Sequence, residues 1–234
     1  MYILAIDTSN QALGVSIMKE NEVIGEIVTN ISKNHSVRLM PAIDYVMKEV
    51  NLLPEQLDKI VVVKGPGSYT GVRIGLTTAK TLAWSLGIPV VGVSSLEGLA
   101  YQGRFSNSLI CPFFDARRGL VFTGLYEVKG DQLVLVESEQ NIQFTDWLDR
   151  LSEMKREVLF LSPDIEKHAD VIREKLGDDA VIPEKAYHMT RPSDLVIAAN
   201  YHEADNTHAL TPNYLRLAEA EANWITSQQE KSNG

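Results

Sequence analysis

KGPGSYTGVRIGLTTAKTLAWSLGIPVVGVSSLEGLA, Lys64 to Ala100, is the stretch whose reading decides the fold. Just before it, Ile60 to Val63 is a β-branched run suited to a buried strand, and Gly65, Pro66 and Gly67 end that run where the backbone must turn sharply. Ser68 or Thr70 is placed to cap a helix. At 3.6 residues per turn, Gly71, Leu82, Gly75, Leu86, Ala79, Val72, Ala83 and Leu76 fall on one face, with Arg73, Lys80, Thr77, Thr81 and Ser85 opposite. Glycine inside a helix costs about 1 kcal/mol relative to alanine, so Gly71 and Gly75 predict that another backbone packs closely there. Gly87 stops the helix, and Ile88 to Val93 returns as a buried strand. A β-α-β unit of this kind is right-handed and builds a parallel sheet covered by helices.

The glycine-rich turn invites a phosphate-loop reading, because backbone amides at a helix start attract anions. GPGSYTG lacks both the Lys-Ser/Thr pair of a P-loop and the GxGxxG spacing of a dinucleotide fold. A turn that permits close helix packing is the simpler reading.

Working outward, Tyr2 to Ile6, Leu13 to Met18 and Val23 to Val28 read as strands joined by polar turns. Between Ser36 and Val50 the positions Leu39, Met40, Ile43, Val46, Met47 and Val50 recur at helical spacing, with Pro41 expected to confine regular hydrogen bonding to the part after it. Gln102 to Ser108 is a polar connection suited to a lobe boundary. Beyond it, Leu109 to Phe114, Leu120 to Tyr126, Leu133 to Val136 and Val158 to Leu161 read as strands. Thr145 to Met154, Asp164 to Leu176 and Asp194 to Tyr201 read as helices. The expected organisation is a first lobe over 1–104, a second over 105–218 whose last helix returns to the first, and a disordered acidic, polar tail over 219–234.

The chain has 234 residues and 44% hydrophobic content, enough for a substantial core in one domain or two compact lobes. A formal charge of −9 disfavours independent nucleic-acid binding, which recruits a surplus of Lys and Arg. The single cysteine, Cys111, excludes an intramolecular disulfide framework and fits a reducing compartment. MYILAIDTS lacks the features of a signal peptide, and no apolar run approaches a membrane span, so a cytoplasmic location is expected.

Several pieces of the chain together resemble one family: Lys64 to Ala100, IDTSNQALGVSI (Ile6 to Ile17), HSVRLMP (His35 to Pro41), FFDARRGLVF (Phe113 to Phe122) and TPNYLR (Thr211 to Arg216). They are similar to the proteins that make threonylcarbamoyladenosine in tRNA, and within these to the short bacterial YeaZ (TsaB) family. The resemblance implies an α/β, ASKHA (actin-like ATPase, sugar-kinase-like) fold of two similar lobes, each a mixed sheet flanked by helices. It also implies a subunit role. In the family's catalytic member two metal-binding histidines sit four apart just after the second strand, and the matching positions here are Ser95 and Leu99. Leucine cannot ligate a metal, and no GG-containing loop follows Gly177 as in the catalytic member. No catalytic and no metal-binding residues are therefore expected.

The resemblance implies a non-catalytic scaffold for a threonylcarbamoyl transferase, required for modification of the adenosine next to the tRNA anticodon, position 37. Its expected partners are the metal-containing, TsaD-like catalytic subunit and a small, TsaE-like ATPase, with tRNA reached only indirectly and no membrane. A homodimer is expected in isolation. Paired helices with left-over apolar residues suggest the contact surface: Leu39, Met40, Ile43 and Met47, with Arg73, Thr77 and Lys80 on the second helix. The alternative is a metallopeptidase-like or kinase-like enzyme acting alone. A third reading is a nucleotide sensor.

Asp7, Thr8 and Ser9 form a hairpin that contacts phosphate in ASKHA enzymes, so ATP or ADP with magnesium is the ligand implied, without a tightly held cofactor. The same residues also serve plain turn chemistry. His35 is read as a capping or packing residue, and Asp164 with His168 as an i,i+4 pair. His202, Asp205 and His208 superficially resemble a ligand set, but their spacing of three and three does not share a helical face. Cys111, inside an apolar strand, reads as inert. Arg117 and Arg118 after Asp115 suit either an anion or solvent, and Leu120 stands where the family motif usually has an acidic residue.

Overall fold

The computed structural model describes residues 1–32 and 34–215, and the expected tail over 219–234 lies outside them. The first sheet is built from β1 (Tyr2–Asp7), β2 (Ala12–Lys19), β3 (Glu22–Asn30), β4 (Lys59–Val63) and β5 (Val90–Val93). Its order is β3-β2-β1-β4-β5. The second is built from β6 (Leu109–Asp115), β7 (Leu120–Lys129), β8 (Gln132–Gln143), β9 (Val158–Leu161) and β10 (Ala180–Val181), in the order β10-β9-β6-β7-β8.

Counted from its own first strand, each sheet has the order 3-2-1-4-5. In each, the first three strands form an antiparallel meander and the last two run parallel to the first. The connecting helices repeat as well. α1 (His35–Glu49) and α2 (Tyr69–Leu86) flank β4, and α4 (Phe144–Glu153) and α5 (Ile165–Leu176) flank β9. This doubled β-β-β-α-β-α-β unit is the actin-like, ASKHA arrangement that the resemblance implied, although the sequence itself shows no internal repeat.

Two further helices join the lobes. α3 (Ser95–Ala100) follows β5, and α6 (Pro192–Ala199) follows the second sheet but packs back across β1 and β2. The core is layered accordingly. On one face of the first sheet, Leu4, Ile6, Val15 and Ile17 pack with Leu39, Ile43, Met47 and Leu76. On the other, Ile3, Ala5, Val61 and Val63 pack with α3 and α6, and this cluster continues into Ile110, Phe114 and Tyr126 of the second sheet. Behind that sheet, Cys111, Phe113 and Phe160 meet Trp147 of α4 and Ile172 of α5.

Differences from the sequence reading have local causes. α1 starts at His35 under an Asn34 cap, whose side chain accepts the Ser36 amide at 3.0 Å, and runs unbroken through Pro41. Pro41 lies on the exposed side of the second turn, so the Val37 carbonyl that loses its i→i−4 bond is on the solvent side of the helix. β8 is three times the expected length, because ESEQNIQ is an edge segment held by backbone pairing to β7 rather than by apolar alternation. α3 and the two-residue β10 carried no periodicity long enough to read.

Candidate functional site

The Ser68 hydroxyl caps α2 by accepting the Gly71 amide at 3.2 Å, and Gly87 ends the helix in the left-handed region. Thr8 presses on both glycines, with its backbone on Gly71, as expected, but with its side chain on Gly75. A Cβ on Gly71 would stand 2.1 Å from the Thr8 carbonyl oxygen, and one on Gly75 would stand 2.4 Å from Thr8 Oγ1. The Ser68 amide donates to the Ser9 carbonyl at 2.6 Å. The glycine-rich turn is thus seated directly on the Asp7–Ser9 hairpin.

In this seating Asp7, Thr8 and Ser9, the residues expected to contact a nucleotide, are turned into the protein. Thr8 and Ser9 are fully buried and Asp7 nearly so. Thr8 Oγ1 donates to the Gly71 carbonyl at 2.7 Å, and Asp7 Oδ1 accepts both the Ser9 amide (2.8 Å) and the Ser9 hydroxyl (2.7 Å). Burial pushes the Asp7 carboxyl above the usual range against these bonds, His35 and the Thr190 hydroxyl. The hairpin's polar groups are spent inside the protein, as turn chemistry requires.

Outside the hairpin lies an inter-lobe cleft of about 960 Å³, lined by Asn10, His35, Ser68, Tyr69 and Thr70 of the first lobe and by Phe114, Asp115 and Arg117 of the second. His35 opens α1 and its Nε2 bonds the Asn10 carbonyl at 2.7 Å. Asp115 accepts the Arg117 amide and Lys167 Nζ, and hydrogen bonds and the ammonium of Lys167 hold its carboxyl below the usual range against its burial. Arg117 and Arg118 both adopt positive φ, 67° and 56°, so the turn aims them by a backbone strained for non-glycine residues. Asp164 does not pair with His168: it takes Lys167 at 2.6 Å, while the His168 ring sits edge-on to Phe113 and Phe144.

Ser95 and Leu99, where the resemblance placed metal ligands in the catalytic relative, are both fully buried in α3. Leu99 belongs to the apolar cluster between the sheets. His202, Asp205 and His208 disperse. His202 Nε2 lies 2.9 Å from both oxygens of Glu97, which raises its pKa, and Asp205 Oδ2 accepts the Gly92 amide at 2.7 Å. His208 donates its amide to Asn206. Among the described residues no cluster of three or more His, Cys, Asp or Glu is placed to hold a metal. Cys111 is buried, accepts the Trp147 indole N–H at 3.3 Å, and is pushed up to about 11 by burial.

The outer face of α1 and α2 requires the largest correction. Leu39, Ile43 and Met47 point into the first lobe's core, so they are not contact residues for a partner; only Met40 of that set is exposed. The exposed apolar residues of α1 are Val37 and Tyr45, on the opposite face, and Met40, on the rim of the buried face, with Trp84 on α2 at 67% exposure. The spacing of Val37, Pro41 and Tyr45 at i, i+4 and i+8 was the signal that could have found them. Arg73 and Lys80 are not free either. Arg73 Nε donates to the Tyr214 hydroxyl at 2.7 Å and stacks on Tyr69, while Lys80 Nζ donates to the carbonyls of His208 (3.1 Å) and Leu210 (2.8 Å). They hold the segment after α6 across the lobe. Thr77 remains exposed.

With this geometry in place, residues 22–224 match the family model described as TsaD, tRNA N6-adenosine threonylcarbamoyltransferase. The chain is 53% identical to the tRNA threonylcarbamoyladenosine biosynthesis protein TsaB of Bacillus subtilis, over 98% of this chain and 100% of that one. The chain belongs to the TsaB family. The TsaB protein of Buchnera aphidicola is 30% identical over 66% of this chain and 74% of its own length. The structure of YeaZ from Pseudomonas aeruginosa superposes with a TM-score of 0.76 at 23% identity, covering 91% of this chain and 99% of that one, and so shares the fold. No helix among the described residues is long and apolar enough to cross a membrane.

Proposed function

We propose that this chain is a non-catalytic scaffold in the biosynthesis of threonylcarbamoyladenosine, required for modification of the adenosine at tRNA position 37. It docks the metal-containing TsaD-like subunit and stabilises it, and a small ATPase joins the assembly in the cytoplasm. The observation that carries this reading is Leu99, an aliphatic side chain sealed in the inter-lobe core at a position where the catalytic relative's pattern has a ligand. The docking surface is the outer face of α1 and α2, where Val37, Met40, Tyr45 and Trp84 leave apolar area uncovered on a paired-helix layer. The same face serves a homodimer when the partner is absent. With a charge of −9, tRNA is held by the partner rather than by this chain.

Nucleotide, if taken up, sits in the cleft against Asn10, Ser68, Thr70 and Arg117, since the Asp7–Ser9 hairpin is closed off.

Met40→Asp combined with Trp84→Asp tests the scaffold reading. Co-purification with the TsaD-like subunit should be lost, and the modified nucleoside in bulk tRNA should fall as it does on gene deletion. Retained binding removes the proposed face; stoichiometric metal or turnover by the isolated chain removes the non-catalytic role.

A further inference from the structure

A two-lobed fold with an open cleft ordinarily hinges, because inter-domain interfaces are small and polar unless a large apolar contact joins the two bodies. Here such a contact exists. α3 is six residues long, and Ser95, Leu96, Gly98, Leu99 and Ala100 are all buried. It is packed on two sides. Against the first lobe it meets α6 so closely that a Cβ on Gly98 would stand 2.4 Å from Leu195 Cδ2 and 3.3 Å from Thr190 Cγ2. Against the second lobe it touches β6 and β7, in the cluster that holds Ile110, Phe114 and Tyr126.

Polar ties ring this layer. The Ser94 hydroxyl, which also caps α3, donates to Glu139 of β8, and Glu139 Oε1 accepts the Tyr126 hydroxyl at 2.5 Å as well. Asp194 of α6 takes Arg104 at 3.0 Å and the Gln102 amide, both from the segment that links the lobes. Tyr201, just beyond α6, reaches the Asp131 carbonyl in the β7–β8 turn at 3.3 Å. One apolar layer with ties on several sides leaves no free hinge.

We propose that α3 is a bolt that fixes the angle between the two lobes, so that the cleft does not close on a ligand. The cleft is then a standing surface feature of a rigid body, and the outer faces of both lobes are presented to any partner in one fixed relation. This property belongs to the isolated chain and stands apart from the identity of the partner.

The test places spin labels at Glu55→Cys and Glu153→Cys, exposed positions on opposite lobes; the buried Cys111 is out of the label's reach. Pulsed dipolar distance measurement should give one narrow distribution, unchanged by millimolar ATP with magnesium. Calorimetry on the same sample records whether nucleotide binds. A nucleotide-driven shift, or a broad distribution in the unmodified protein, overturns the proposal. In the same background Gly98→Val forces α3 away from α6 and should broaden the distribution while far-ultraviolet circular dichroism stays folded. A folded Gly98→Val protein with the original narrow distribution also overturns it. Should Gly98→Val not fold, Leu96→Ala thins the same layer and is read the same way.

Discussion

The Thr8 hydroxyl donates to the carbonyl of Gly71 at 2.7 Å, while the Thr8 carbonyl lies where a Gly71 side chain would begin. One residue of the first hairpin thus both bonds the first turn of α2 and restricts the residue type there. Gly71→Ala gains helix propensity but drives a methyl to 2.1 Å from a backbone oxygen that cannot swing aside. The clash dominates, and urea unfolding should show a loss of about 2–3 kcal/mol. A neutral or stabilising result would mean that hairpin and helix are not in contact.

Two substitutions on α1 separate its faces. Met40 is 48% exposed and Ile43 is 3% exposed. Met40→Asp should leave unfolding free energy within about 0.5 kcal/mol of the parent, as surface changes do. Ile43→Asp places a carboxylate among Leu4, Ile6 and Val15 and should cost more than about 4 kcal/mol, enough to lose the folded state. Equal melting curves for the two variants would contradict the assigned orientation of the helix.

The fold is legible in the sequence wherever local composition or period marks an element. Ile60–Val63 reads as a continuous β-branched run, the small-residue face of α2 by its 3.6-residue period, and β1 to β3 as apolar runs between polar turns. α3 is not legible, because six residues buried on every side carry no polar stripe to set a phase. The candidate site was less legible than the fold. Apolar residues at helical spacing identify a face but not its destination, so Leu39, Ile43 and Met47 were assigned outward although they build the core. The roles of Arg73 and Lys80 depend on Tyr214, His208 and Leu210, more than 120 positions away, which no local pattern encodes.

The strap from Asp205 to Tyr214 follows from those same contacts. The Asp205 amide bonds the Val90 carbonyl at 2.9 Å, Asn213 bonds the Lys64 carbonyl at 2.6 Å, and Lys80 takes two carbonyls between them. Lys80→Met keeps the aliphatic stem and removes both charge-assisted bonds. Hydrogen exchange over residues 206–213 should quicken, with a global cost of about 1–2 kcal/mol. Unaltered exchange there would show that Lys80 does not hold the strap.

Two histidines should make opposite contributions to the pH dependence of stability. His188 is buried, its Nδ1 accepting the Ser162 amide at 3.1 Å and its Nε2 donating to the Pro183 carbonyl at 3.0 Å, and burial lowers its pKa. The unfolded chain then binds a proton more readily. Stability from His188 is present above the unfolded value of about 6.5 and is lost as pH falls below it. His202 is held charged by its hydrogen bonds to Glu97, against some desolvation and Lys64, so its pKa is raised. Its contribution is present below the unfolded value and is lost as pH rises through the folded one. Denaturant midpoints should therefore show His188→Gln flattening the acid side of the profile, whereas His202→Gln lowers stability on the acid side and converges on the parent in alkali. A parallel shift at every pH in either variant would mean that its ring acts by packing alone.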